Sequence, residues 1–404
     1  MRLVVLPPHF EPDTAPTGVI WTRIVHELAQ RGHDIEVVTS LPWYREHRVE
    51  AGFEGQTVRH EDTPWGRITR IDPFATADKS DLFRRALSFG GFSVVAGVVG
   101  ARGPRADAVI AISPPLTLAL AGWAIAKARR APLILNLQDI FPDVAIELGA
   151  IKSRRMIALA HALENTCYRA SDAVTVLSED LKNNLIDKHV AASKVRVIPN
   201  FVETDRVHVG PKENAYRREF GLTGKRVVMY AGNVGLSQSL DLVLDAAAAF
   251  AHEDTVMFVI NGQGAQHESL ERRARGLSNV RFVDMQPIER LPEVLAAADL
   301  HLIPLRRGLA RSSVPSKSYS ILAAGRPFVA SVDEGTEVAT LATRSGAGVA
   351  VPPEDAEALT KAVRRLLEDP EELEAMGRSG RSFIESWAAP EAVAASYEEL
   401  IASL

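Results

Sequence analysis

The sequence predicts an α/β fold made of two doubly wound, Rossmann-like domains. Three observations carry this prediction. Short apolar runs alternate with stretches of helical periodicity along most of the chain, the mark of parallel βαβ units. The pattern lapses once, at Pro199-Asn200-Phe201-Val202-Glu203, where an inter-domain linker belongs. The length of 404 residues favours two or three domains, and 46% apolar with 24% charged residues is ordinary for a soluble globular chain.

Leu3–Leu6 is a short apolar strand followed by the loop Pro7–Pro16 and then Thr17-Gly18. Val19–Arg31 has apolar residues at helical spacing, Gly32 closes it, and Ile35–Thr39 is the next strand. This first loop has one glycine where a dinucleotide fingerprint needs three, which argues against NAD. Ile68–Ile71 is a strand, Asp81–Ala101 a helix, Ala108–Ile112 a strand and Thr117–Arg130 a helix. The strand Leu133–Leu137 delivers Gln138-Asp139 to its carboxyl end, and Asp143 follows closely. Ligand crevices of parallel sheets lie outside those ends, so Asp139 and Asp143 are site candidates. The plainer reading of Asp143 is a cap on the following turn. Ala173–Leu177 is a strand, Ser178 an N-cap, Glu179–Asp187 a helix and Val195–Ile198 a strand.

In the second half, Lys225–Ala231 is a strand ending in Gly232-Asn233-Val234-Gly235, before the helix Leu240–Phe250. Val256–Ile260 is a strand ending in Asn261-Gly262-Gln263-Gly264, and Val280–Val283 is one that leads to Gln286. After the helix Leu291–Ala298 and the strand Leu300–Leu305 comes Val314–Pro327, with a helix from Ser316 to Ala324. Ser316 suits its N-cap and Gly325 the left-handed residue that ends it. Lys317 is unfavourable in a first turn unless it serves an anion. Glycines at strand-to-helix turns let the backbone approach a ligand closely, though each loop alone also reads as a tight turn. Parallel strands bring these loops to one edge, where together they point to a nucleotide or phosphate site. Phe328–Ser331 is a further strand, and the chain closes with acidic amphipathic helices, Glu354–Glu368 and about Glu371–Leu404.

Net charge is −5, with the acidic surplus in the second half, so no nucleic-acid footprint is expected. The single cysteine, Cys167, excludes an internal disulfide and reads as core. No metal cluster and no cofactor are expected. No signal peptide is visible, and Ala86–Ala101 is shorter than the roughly 20 apolar residues a bilayer span needs. Residues 81–102 instead combine Arg84, Arg85 and Arg102 with Phe83, Leu87, Phe89 and Phe92, which suits peripheral contact with a membrane surface as well as it suits a core helix. A cytoplasmic location follows, with the inner face of the plasma membrane as the place of contact.

Four stretches narrow the reading: Tyr230–Gln238, Val314–Pro327, Gln138–Asp143 and Val197-Ile198-Pro199-Asn200. They resemble the retaining family 4 glycosyltransferases of the GT-B fold, in the branch that makes bacterial surface polysaccharides, which includes L-fucosamine transferase-like proteins. The resemblance implies two Rossmann-like domains facing a central cleft, with residues 1–200 binding the acceptor and 201–404 the donor, and the last helix able to return to the first domain. It implies a metal-independent, hexosyltransferase-type enzyme of cell-envelope synthesis. Such an enzyme moves a sugar from a nucleotide diphosphate sugar, UDP-linked by expectation, to a glycan, lipid-linked or small-molecule acceptor with retained configuration. Asp139, Gln138 and Lys317 would be catalytic. Gly232, Asn233, Gly235, Gln238, Gly262, Gly264, Gln286, Ser312, Ser316, Lys317 and Ser320 would meet the donor. His9, Thr17, Gly18 and Asp143 would lie on the acceptor side. The chain departs from the family pattern in four places. Ser312 and Ser320 stand where a pair of glutamates is frequent, Gln238 where a basic residue is, and Gln138 where a histidine is. Two other readings are a nucleotide-sugar epimerase and a non-catalytic sugar-nucleotide-binding subunit.

Overall fold

The computed structural model describes residues 1–45, 48–74, 82–143, 146, 151, 153–308 and 316–404. Ser312 therefore lies outside the described residues, as do the side chains of 82–87, Arg84 and Arg85 among them, and of Ser316. The chain forms two compact units. Unit 1 holds Met1–Asn200 with Val393–Leu404, and unit 2 holds Phe201–Ala392.

Unit 1 is built on eight strands: β1 (Arg2–Leu6), β2 (Asp34–Ser40), β3 (Val58–Thr63), β4 (Gly66–Ile71), β5 (Ala108–Ser113), β6 (Leu133–Leu137), β7 (Ala173–Val176) and β8 (Val195–Val197). Their order is β3-β4-β2-β1-β5-β6-β7-β8. All pairs are parallel except β3 with β4, an antiparallel hairpin at the edge. Sequence reading found β4 and passed over β3, because Arg59, His60, Glu61 and Asp62 give that strand no apolar alternation. Its pairing and its salt bridges, Arg70 to Glu61 and Arg67 to Asp62, hold it instead.

The helices between strands are α1 (Pro16–Gln30), α2 (Leu82–Gly100), α3 (Leu118–Arg129), α4 (Arg154–Ala170) and α5 (Glu179–Asp187). Parallel crossovers are right-handed. The chain moves one way from β1 to β2 and the other way from β4 onward, so α1 covers one face and α2 to α5 the other. Packing agrees. Phe92 of α2, Leu118 and Ile125 of α3, Cys167 of α4 and Leu185 of α5 share one apolar cluster with Val4, Val109 and Leu135 of the sheet. Ser178 caps α5 by accepting a hydrogen bond from the Leu181 amide. Cys167 is buried, and burial with the nearby Glu164 pushes its thiol up to about 12.

Unit 2 is built on β9 (Arg226–Ala231), β10 (Val256–Asn261), β11 (Val280–Val283), β12 (Leu300–Pro304), β13 (Phe328–Ser331) and β14 (Gly348–Val351), ordered β11-β10-β9-β12-β13-β14 and parallel throughout. Its helices are α6 (Ala215–Glu219), α7 (Asp241–Ala249), α8 (His267–Arg273), α9 (Leu291–Ala296), α10 (Ser316–Ala323), α11 (Glu337–Ser345), α12 (Ala356–Leu367) and α13 (Pro370–Ala388). Gly325, at φ 65°, ends α10 as expected, its amide bonding Leu322 and that of Arg326 bonding Ile321. The single helix expected over 371–404 is two. Ala389 is extended (φ −71°, ψ 152°) before Pro390, which opens α14 (Pro390–Ala402). A residue preceding proline is driven out of the α region, so the break is local sterics. From Val393 on, α14 belongs to unit 1. There Tyr397 packs on Trp21 of α1 at a ring distance of 5.3 Å, and Glu398 pairs with Arg31 and His33.

Candidate active site

In unit 2 the chain leaves β9 toward β10 and β11 on one side, then returns to lay β12, β13 and β14 on the other. Neighbouring β9 and β12 thus form a topological switch point, and crevices open outside the carboxyl ends there. Gly232 follows β9, and Lys317, in the first turn of α10, follows β12. The structure brings them together. A Cβ on Gly232 would lie 2.5 Å from Lys317 Cε and 2.8 Å from Nζ. Gly232 also has φ 137°, a conformation side chains rarely adopt. The lysine therefore passes where any other residue would stand.

The same closeness explains the second glycine loop. A Cβ on Gly262 would lie 1.8 Å from the Gly232 carbonyl oxygen, and one on Gly264 2.3 Å from that of Val234. Gly232 donates to Asn261 O and Val234 to Gln263 O, both at 2.9 Å. Gly235 donates to Gln238 Oε1 at 3.1 Å, and a Cβ on it would meet Asn233 Nδ2 at 2.6 Å. The amides of Gly232, Val234 and Gly235 are thus spent inside the turn. The glycines serve by leaving room: Gly232 for the Lys317 side chain, Gly262 and Gly264 for backbone carbonyls, and Gly235 for Asn233.

Lys317 is half-buried. Its Nζ donates to the Tyr230 hydroxyl at 2.5 Å and lies 4.3 Å from that ring's centroid. The hydroxyl in turn donates to Asn233 O at 2.5 Å. Among the described residues no carboxylate pairs with Lys317. Desolvation pulls its ammonium down to about 8, and burial pushes the Tyr230 phenol up. Lys317 lines a cavity of about 230 Å³ together with Met285, Pro287, Ile288 and Ile321. Ser320, one turn after Lys317, and Gln286 also line it. Gln286 is held at both ends, donating to Asp284 O at 3.0 Å and accepting from Arg290 at 2.8 Å. Arg290 is fixed by Glu219 and Glu293. Tyr230 and Arg290 escaped sequence reading. A signal existed for Tyr230, since strand residues two apart share a side and Tyr230 precedes Gly232 by two.

Unit 1 has its own switch point, between β1 and β5. His9, Thr17 and Gly18 gather after β1. A Cβ on Gly18 would lie 2.8 Å from His9 Cβ. His9 Nδ1 is 2.7 Å from the buried carboxylate of Asp13, and its ring lies 5.5 Å from those of Trp43 and Tyr44. Asp13, which sequence reading passed over, orients the imidazole. Gln138 and Asp139 follow β6. Gln138 is buried, donating to Asn136 Oδ1 at 2.7 Å and accepting from Asn200 Nδ2 at 2.8 Å. Asn136 donates onward to Thr175 and Tyr397, each at 3.1 Å. Asp139 keeps part of its surface in solvent, while desolvation raises its carboxyl above the usual range. Asp143 stands apart from these. Lys188 Nζ donates to it at 2.7 Å and to Glu164 at 2.6 Å, and Asn184 donates to it at 3.2 Å. Asp143, His161 and Glu164 have ligand atoms within 4.8 Å of one another, as a metal site would. The Lys188 ammonium already lies on the two carboxylates.

Residues 17–200 match the family described as "Glycosyl transferase 4-like domain", and residues 225–369 match "Glycosyl transferases group 1". A protein of Escherichia coli K12 named as the colanic acid biosynthesis glycosyl transferase WcaI is 31% identical over 91% of this chain and 92% of its own length. The chain belongs to the GT-B family 4 glycosyltransferases. This glycosyltransferase is also 26% identical, over 91% of its length and 90% of the relative's, to a Pseudomonas aeruginosa protein named glycosyltransferase WbjE. Its fold matches solved GT-B structures over their full length. Sucrose-phosphate synthase of Thermosynechococcus elongatus superposes with a TM-score of 0.65 at 17% identity, and HepE of Anabaena in complex with UDP with 0.65 at 15%. In this chain Lys317 stands in α10, Gln138 bonds the side chains of Asn136 and Asn200, and Gln238 accepts from the Gly235 amide.

Proposed function

We propose that this glycosyltransferase takes its sugar from a UDP-sugar and passes it to a glycan or lipid-linked acceptor with retention of configuration. The observation that carries the reading is Lys317: an ammonium with no carboxylate partner among the described residues, held over Gly232 and lining a largely apolar cavity. Leaving such a charge without an anion is costly, and a diphosphate removes that cost. The cavity is suited to the nucleoside, with the diphosphate at Lys317. HepE, of the same fold, has been solved with UDP-glucose as well as with UDP, which supports this donor class.

In the reaction proposed, the bond between the anomeric carbon and the β-phosphate oxygen breaks. The acceptor hydroxyl oxygen bonds that carbon on the same face, and its proton passes to the leaving phosphate oxygen. Negative charge grows on the diphosphate, and Lys317 with the N-terminus of α10 stabilises it. These groups supply positive charge from the chain itself, so the reading needs no resident metal. In unit 1, His9, Thr17, Gly18 and Asp139 are assigned to the acceptor side. Gln138 keeps the backbone beside Asp139 in place, and Asp143 has a structural role through Lys188. The enzyme would work on the cytoplasmic side of the membrane. Epimerisation is not favoured, because Lys317 is the one titratable side chain among the described residues lining the cavity.

Incubation with UDP-, GDP- and dTDP-sugars tests the reading. Slow release of UDP from a UDP-sugar, abolished by Lys317→Ala, is expected. Release from a GDP- or dTDP-sugar alone would overturn the UDP assignment, and formation of an epimer would overturn the transferase reading.

A further inference from the structure

We infer that the outer surface of α2, α3 and α4 is a docking face for an anionic phospholipid bilayer. The inference goes beyond the donor reading and does not depend on it. These helices lie side by side on one face of the unit 1 sheet, α3 touching both α2 and α4. Helices in that position ordinarily turn polar residues outward. Here the outward positions include Val94 and Val98 of α2, Trp123 of α3, and Met156 and Leu159 of α4, with Leu159 72% and Val94 68% exposed.

The charge pattern says what covers them. α2 and α3 contain no aspartate or glutamate, and the first acid along α4 is Glu164, which is buried and bonded to Lys188. Around the apolar residues stand Arg102 and Arg105 beyond α2, Lys127 and Arg130 at the end of α3, and Arg154 and Arg155 at the start of α4, all exposed. Among the described residues none of these six pairs with a carboxylate. Some exposed arginines elsewhere on unit 1 do have such partners, as Arg2 has Asp34 and Arg67 has Asp62. A face of apolar side chains ringed by cations, with no acidic residue in α2 or α3, matches lipid headgroups over an acyl boundary. Trp123 suits that boundary, where an indole keeps one edge wet. No described helix is long and apolar enough to cross a membrane, so the contact is with the surface.

Sedimentation with vesicles is the test. The full chain is expected to pellet with vesicles of phosphatidylethanolamine and phosphatidylglycerol and to stay in solution with phosphatidylcholine alone. Trp123→Glu with Leu159→Glu, and separately Lys127→Glu with Arg130→Glu, should each cut binding by about tenfold or more, with unchanged melting and UDP affinity showing that the fold is intact. Added salt should weaken the wild-type interaction. Three results would overturn the inference: wild type left in solution with the anionic vesicles, equal binding to both vesicle types, or binding untouched by both pairs of substitutions. A wild-type dimer in gel filtration made monomeric by Trp123→Glu with Leu159→Glu would also overturn it, since a second copy would then cover the face.

Discussion

Lys317 sits where two opposing demands meet. Desolvation lowers its pKa to about 8, while an unfolded lysine titrates near its ordinary value of 10.5. Between those values the unfolded chain binds more protons than the folded one, so Lys317 makes stability rise with pH across that window. Below pH 8 its charge is a cost the fold carries. Lys317→Met is therefore expected to hold or raise the melting temperature at pH 7 while lowering UDP affinity by about 1.5–3 kcal/mol, roughly tenfold to a hundredfold. Calorimetry in buffers of different ionisation enthalpy should show proton uptake when UDP binds above pH 8, and the affinity should fall by up to roughly tenfold per pH unit there. Equal UDP affinity at pH 7 and pH 9.5 would remove Lys317 from the diphosphate. Tyr230→Phe keeps the ring under the ammonium and deletes two hydrogen bonds. It should weaken UDP by about 0.5–1.5 kcal/mol and leave uridine affinity unchanged, a contrast that general damage to the loop would not produce. The lysine was legible because a cation in a first helical turn is anomalous. For Tyr230 the one signal was its place two residues before Gly232, since a tyrosine near the end of an apolar strand otherwise looks like ordinary core until Lys317 of α10 is known to lie on it.

Among the elements, the paired loops after β9 and β10 depend on glycine for opposite reasons. Gly232 makes room for a side chain, and Gly262 makes room for the Gly232 carbonyl. Gly262→Ala should cost more than about 2 kcal/mol, because backbone must move and φ is 157° there. Gly276, with φ 99° and nothing within 4 Å, is the comparison, since its alanine variant meets backbone strain alone. Denaturant melts of the two variants would separate strain from collision, and equal losses would deny the contact. In unit 1, Lys188→Met should cost about 3–5 kcal/mol by leaving Glu164 and Asp143 without their cation. Most strands and the longer helices were legible from hydrophobic period, while β14 and the short helices α6, α8 and α11 were passed over. What escaped was held by partners distant in sequence. β3 is polar and depends on β4, and Asp143 depends on a lysine and an asparagine more than forty residues on.

For the whole molecule, the informative feature is α14. Tyr397 is fully buried in unit 1, packed at a tilt against Trp21 and bonded to Asn136, which holds Gln138. Tyr397→Ala should cost unit 1 about 3–5 kcal/mol. Hydrogen exchange read separately in each unit should show the loss confined to unit 1, and an equal loss in unit 2 would contradict this division. Periodicity marked only the break at Pro199–Glu203, and the return of the last helix to the first domain was expected from the family resemblance, because periodicity marks where a helix is and not which sheet it covers.

Seen along the chain, unit 2 is an insertion within unit 1. A ribosome makes Met1–Asn200 first and the residues carrying Tyr397 only after every strand of unit 2. Until then Trp21 and the Asn136 amide lack their cover, so the first-made half is the last to be finished. A nascent chain stalled before Val393 should carry a completed unit 2 and a unit 1 still open to chaperones and proteases.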